Sequence, residues 1–157
     1  MHRPVITLAK NSHLLVEVCY RSPNASIEES LELSKMVSAA ADSTALIFGD
    51  FNYPNIDWIN MDADSGSRHF LDMVNDSYLT QHVTRPTRGS NILDLVLTTE
   101  PDRINEVEVR EHLASCDHNI LAWKIDCNAP VVLTINKSSY VFHKGDYEGF
   151  RSYLAGI

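Results

Sequence analysis

The chain has 157 residues, 44% hydrophobic and 22% charged, enough for one domain with a sizeable core and too apolar for bulk disorder. No apolar run nears the roughly 20 residues of a membrane-spanning helix, and Val5–Ala9 is too short for a signal-peptide core. The expected location is therefore intracellular, nuclear or cytoplasmic, neither secreted nor in a membrane. A net charge of −8 speaks against a domain that grips nucleic acid by general phosphate neutralisation. Two readings of the acidity stay open: a carboxylate cluster that gathers a divalent metal, and a plain solvated acidic surface.

In chain order, His13–Tyr20 is apolar and partly β-branched and reads as a strand closed by the turn cluster Arg21-Ser22-Pro23-Asn24. Ser26 and Glu29 form a capping-box pattern. It opens a helix to about Ala41, with Ile27, Leu31 and Met36/Val37 expected near one face. Thr44–Gly49 is a short, nearly continuous apolar run, the mark of a strand buried on both sides. Asp50–Asp64 is loop-like, Ser67–Asp76 helical, Leu79–Val83 a short strand and Thr84–Asn91 a turn-rich loop. Ile92–Thr98 is a strand with an acid inside it. Glu106–Arg110 alternates as an exposed strand, and His118–Asp126 returns as another. Val131–Ile135 suggests a further strand and Gly145–Leu154 a short helix. The alternation of strands and helices points to a mixed, layered core.

Cys19, Cys116 and Cys127 have no metal-finger spacing and are expected as buried reduced thiols. Asn-x-Ser sequons begin at Asn24, Asn75 and Asn136, with no secretory leader to give them a use.

The chemistry-bearing residues gather at strand ends. Asp50 and Asn52 follow a buried strand two residues apart, so extended backbone would aim both side chains the same way. Such a carboxylate can orient or deprotonate water, and the carboxamide can donate to a developing phosphorane oxygen; an Asx turn ending the strand is the alternative. Asp94 lies among Ile92, Leu93, Leu95, Val96 and Leu97, where an acid costs stability unless paired. His118 is the candidate partner. Asp117-His118 sets a carboxylate suited to Mg²⁺ beside an imidazole able to touch phosphate, or else is an ordinary polar loop. Tyr20 ends its strand with a hydroxyl available to a phosphate oxygen or simply reaching for solvent. Arg85 and Arg88 suit either a DNA backbone or a solvated turn.

Taken in order, Tyr20-Arg21-Ser22-Pro23-Asn24, Gly49-Asp50-Phe51-Asn52, Leu93–Thr98 and Asp117-His118 resemble the successive later motifs of the endonuclease/exonuclease/phosphatase superfamily, over about Leu14 to Ile125. Tyr53-Pro54, Ile56-Asp57-Trp58 and Pro86–Asp94 narrow the resemblance to the endonucleases of non-long-terminal-repeat retrotransposons. The resemblance implies an α+β fold, a layered α/β sandwich of the DNase-like type, and Mg²⁺- or Mn²⁺-dependent hydrolysis of DNA. By it, Asp50 would position the attacking water, Asn52 would hold the scissile phosphate, and Tyr20, with Asn24, would contact the phosphate, with Arg88 of the neighbouring loop a further candidate for substrate binding. Asp94 would orient His118, and Asp117 would help hold the metal. Residues 1–128 would be the endonuclease unit, and 129–157 a linker like the one that leads to a reverse transcriptase domain in such elements.

The family pattern also has an early strand-end Asn and a metal-binding Glu. Asn11 and Glu17 lie too close to Tyr20 to serve, so the main Glu ligand and the first half of the domain are expected to be absent. Cys116 stands where the family shows Ser. An uncovered apolar sheet face is then expected, each exposed Leu, Ile or Val forgoing roughly 1.5–3 kcal/mol against a typical total of about 5–15 kcal/mol. The product is expected to be marginally stable or aggregation-prone unless another chain covers that face. The alternative to an enzyme is a non-catalytic retroelement remnant or partial gene product.

Overall fold

The computed structural model describes residues 5–7 and 13–126. The strand expected at Val131–Ile135, the helix at Gly145–Leu154, Cys127 and the boundary after residue 128 lie outside them. The described elements are strands β1 (Val5–Thr7), β2 (His13–Tyr20), β3 (Ala45–Asp50), β4 (Ile56–Asp57), β5 (Asp62–Ala63), β6 (Thr80–Gln81), β7 (Asp94–Thr98), β8 (Glu108–Arg110) and β9 (Ile120–Ala122), with helices α1 (Ile27–Ala41) and α2 (Arg68–Asp76). A mixed sheet of five strands, ordered β1-β2-β3-β7-β6, organises them. β2 and β3 run parallel through the α1 crossover, and β7 lies antiparallel between β3 and β6.

Side chains alternate across this sheet. Cys19, Ala45, Ile47, Leu95 and Leu97 face one way, into a core with Val37 and Ala40 of α1 and Phe70, Leu71 and Val74 of α2. Leu14, Leu46 and Val96 face the other way, against Ile104 and Val107 and the β8–β9 hairpin. Trp123, just after β9, meets Phe48 edge to face at 5.1 Å between ring centroids. The hairpin covers only part of this second face, leaving Val18 69% and Tyr20 71% exposed. The order of layers is thus helices, central sheet, small hairpin sheet.

Helix α1 begins where the capping box places it. The Ser26 hydroxyl accepts from the Glu29 N–H at 3.2 Å, and the Glu29 carboxylate accepts from the Ser26 N–H at 2.8 Å. Its buried face differs from the expected one. Ile27 and Leu31 are exposed, whereas Ser30, Ser34, Val37 and Ala40 are buried. Small residues suit a helix lying close to the sheet, and both serines satisfy their hydroxyls on carbonyls four residues back.

Other differences follow from neighbours. The segment 50–64 holds the two-residue ladder β4–β5 rather than being wholly irregular. The strands expected at Leu79–Val83 and His118–Asp126 shrink to β6 and β9, because a strand extends only as far as a partner pairs with it. Cys19 is buried as expected, but Cys116 is exposed in a loop. Burial pushes the Cys19 thiol up to about 11, with a smaller push from the Glu17 charge. No helix among the described residues is long and apolar enough to cross a membrane.

Candidate active site

β2 and β3 end side by side, and β7 begins opposite them. The register pairs Tyr20 with Asp50 across the parallel ladder and Asp50 with Asp94 across the antiparallel one. Asp50 therefore lies between Tyr20 and Asp94 on one face of the sheet, the face that carries Phe48 and Val96. Glu17 pairs with Ile47 and points to the opposite, helical face, so it is directed away from this group.

The close fit of β2 against β3 here depends on Gly49. Its φ is +144°, and a Cβ added there would meet the Cys19 carbonyl oxygen at 1.9 Å. Asn52 sits in the left-handed region with φ +50°, a conformation Asn tolerates better than most residues.

His118 reaches the cluster from the loop before β9. Its Nδ1 lies 2.9 Å from Asp94 Oδ2, and its Nε2 lies 3.9 Å from Asp50 Oδ2. If Nδ1–H donates to Asp94, Nε2 of a neutral ring is an acceptor facing another acceptor. That pair attracts only when the ring is protonated or when a water or cation lies between. Asp50 Oδ1 is buried and has no hydrogen-bond partner. Burial, followed by the neighbouring Asp94 charge, raises the Asp50 pKa above the ordinary carboxylate value, while His118 and the polar groups of Asn52 oppose the rise.

Thr87, fully buried, ties the pieces together. Its hydroxyl oxygen accepts from the N–H groups of Leu93 and Asp94, each at 3.0 Å. Its carbonyl accepts from the Asn119 N–H at 2.7 Å. One residue thus fixes the start of β7 and the residue after His118. The contacts span six, seven and thirty-two positions, so no local pattern in the sequence announces them.

Asn52 is 6% exposed, and its Nδ2 donates to the Arg21 carbonyl at 2.9 Å. Arg21 in turn donates through Nη1 to the Asn52 carbonyl at 2.9 Å and through Nε to the Ser30 hydroxyl at 3.0 Å. Its guanidinium lies 4.2 Å above the centroid of the Tyr53 ring. Arg21, one residue past the Tyr20 strand end, is the partly buried link that its place in a turn cluster did not disclose.

The remaining sequence candidates lie farther out. Asp117 pairs with Arg88 at 2.5 Å, half exposed, outside the Asp50–Asp94–His118 group. Desolvation, the largest single influence, raises the Asp117 pKa, but its own backbone hydrogen bond, the charge and hydrogen bond of Arg88 and the charge of His118 together outweigh it and hold the carboxyl below its ordinary range. Asn24 lies exposed in the turn before α1, its N–H donating to the Ser22 hydroxyl at 3.3 Å. Between the segment after Asn52 and the loop before Asp94 runs a cleft of about 370 Å³, walled by Asn55, Trp58, Pro86 and Asn91 among others.

Asp50, Asp94 and His118 offer one donor atom each, all within 4.8 Å of one another. Two carboxylates suit a hard divalent cation, and an unpartnered buried carboxylate oxygen has a ligand position to spare. The imidazole is a poor ligand for such an ion and is already engaged by Asp94. The donor set therefore fits a divalent cation through its oxygens.

Comparison with known proteins gives the family and the fold. Residues 14–122 match the family model described as endonuclease-reverse transcriptase. No curated protein matches the chain in sequence. Among solved structures, the endonuclease domain of TRAS1, a telomere-specific non-LTR retrotransposon, superposes with a TM-score of 0.58 at 21% identity. The match covers 81% of this chain and 65% of that one, so the chain spans just under two thirds of the TRAS1 domain and shares its DNase-like α+β fold.

Proposed function

From the premise that this chain belongs to the endonuclease-reverse transcriptase family, we propose that it is a divalent-metal-dependent endonuclease unit that hydrolyses a phosphodiester bond of DNA. The observation that carries the reading is the convergence of Asp50, Asp94 and His118 at the shared end of β3 and β7, with Asp50 Oδ1 buried and unpartnered. A carboxylate whose pKa is raised holds a proton more readily, which suits a base that takes one from water. In this reading water attacks phosphorus, Asp50 receives its proton, the P–O bond to the departing oxygen breaks, and that oxygen takes a proton from solvent water.

The other residues take roles from their places. Asp94 fixes His118 through Nδ1, and when the ring is protonated its Nε2–H would donate to a phosphate oxygen. The Asn52 amide, with one N–H on Arg21, keeps a second N–H for the substrate. Tyr20, exposed beside Asp50, supplies a hydroxyl to the same phosphate, and Asn24 and the Arg88 loop line the approach of the DNA. Asp50 and Asp94 would hold Mg²⁺ or Mn²⁺, and Asp117, paired with Arg88 outside that group, would be a more distant carboxylate. The cation would neutralise charge on the phosphate. Residues 1–128 form the endonuclease unit in this reading, and 129–157 lead toward a reverse transcriptase domain.

The test is nicking of supercoiled plasmid by the full chain with Mg²⁺. Loss of nicking in Asp50→Ala, in a protein that still melts cooperatively, is the expected result. Equal nicking by parent and Asp50→Ala would overturn the assignment. A second reading, a non-catalytic unit, is favoured by one observation: among the described residues no glutamate joins Asp50, Asp94 and His118, and Glu17 points to the opposite face. It predicts a folded parent that binds DNA without nicking it.

A further inference from the structure

Three hydrogen bonds join Arg21 to the segment 50–52. Its backbone N–H donates to the Asp50 carbonyl at 2.8 Å, its Nη1 donates to the Asn52 carbonyl at 2.9 Å, and its own carbonyl accepts from Asn52 Nδ2 at 2.9 Å. The last two form a reciprocal clamp, guanidinium to backbone one way and side-chain amide to backbone the other. The guanidinium is itself held from two further sides, by the Ser30 hydroxyl of α1 and the face of Tyr53. The Tyr53 ring is in turn stacked on Phe70 at 4.5 Å, inside the helical core.

The clamp closes on a residue in the left-handed region: Asn52 has φ +50°, at a site where its amide direction matters. A carbonyl bound by a fixed guanidinium and an amide bound by a fixed carbonyl leave the Asn52 side chain one orientation. Packing alone would fill the space; it would not define which N–H of the amide is left for a ligand.

We propose that Arg21 is a positioning residue that sets the Asn52 amide for the reaction, acting from the helical core and touching no reacting atom. The inference rests on the endonuclease reading of this site. It requires a guanidinium. Nε and Nη1 serve Ser30 and Asn52 at once while the plane lies on Tyr53, and an ammonium offers neither the fork nor the plane. A displacement of about 1 Å at a reacting group costs on the order of 100-fold in rate.

The experiment compares the full-length parent, Arg21→Lys, Arg21→Ala and Asp50→Ala in Mg²⁺-dependent plasmid nicking, beside the NMR signals of the Asn52 side-chain amide. Arg21→Lys should melt near the parent temperature, lower kcat by about 10- to 100-fold and leave KM nearly unchanged. Guanidinium ion added to Arg21→Ala should restore part of the lost kcat. Retained kcat in Arg21→Lys overturns the proposal, as does a folded Arg21→Ala that guanidinium does not rescue. If Arg21→Ala fails to fold, the lysine variant decides alone. Should the parent not nick, the endonuclease reading fails, and the clamp is judged on the amide. The amide proton held on the Arg21 carbonyl should exchange slowly in the parent and in Asp50→Ala but rapidly in Arg21→Lys; slow exchange of it in Arg21→Lys overturns the proposal.

Discussion

The two faces of the central sheet are built for different ends. Toward α1 and α2, Ile47, Leu95 and Leu97 meet Val37, Phe70 and Leu71 in a core closed to solvent. Toward β8 and β9, an apolar patch around Leu46 and Val96 grades into Asp50, Asp94 and His118, then into exposed Val18 and Tyr20. The first face gains stability from burial. The second forgoes some of it, since it keeps two carboxylates close together and leaves apolar side chains wet. The difference teaches that one strand can carry both tasks, because its side chains alternate: Leu95 is pure core, and Asp94 beside it belongs to the site.

That contrast can be broken most severely on the helical side. Leu95→Ala, at a position 1% exposed, should cost about 2–5 kcal/mol in urea unfolding. A loss no larger than that of a surface substitution would show that this face is not the stabilising one.

Asp50→Asn sharpens the contrast through pH. A carboxyl whose folded pKa is raised is better tolerated neutral, so its charge costs the folded state above that pKa and costs nothing below the unfolded value of about 3.9. The Asn variant should therefore melt higher than the parent near neutral pH, with the gain vanishing as the pH falls below the ordinary carboxylate range. It should lose nicking throughout. A gain of equal size at all pH values would point to packing instead of charge.

The smallest effect belongs to the open part of the second face. Val18→Thr, at a position 69% exposed, should move stability by no more than about 0.5 kcal/mol and lower the tendency to aggregate in light scattering. A cost of several times that size would mean Val18 is covered in solution.

Much of this was legible without coordinates. The capping box at Ser26 and Glu29 fixed the start of α1, since both partners lie within one turn of chain. The apolar run before Gly49 marked a central strand. An acid inside Ile92–Leu97 signalled that a partner was needed, because an unpaired buried charge is costly. The order of the four motifs pointed to the family. Less legible was the face of α1, where the large apolar residues Ile27 and Leu31 lie outside and Ser30 and Ser34 inside. Hydropathy ranks side chains by transfer from water, whereas the close approach of helix to sheet selects by size.

What the sequence determined by itself was local or periodic: strand and helix positions, the cap, and the residue types suited to phosphoryl chemistry. Only the tertiary structure decided the register that sets Asp50 between Tyr20 and Asp94, the reach of His118 to both acids, the pairing of Asp117 with Arg88, and the Arg21–Asn52 clamp. Each of these joins residues 24 to 68 positions apart. Pairings at such range depend on how the strands close against one another, which no stretch of chain encodes alone.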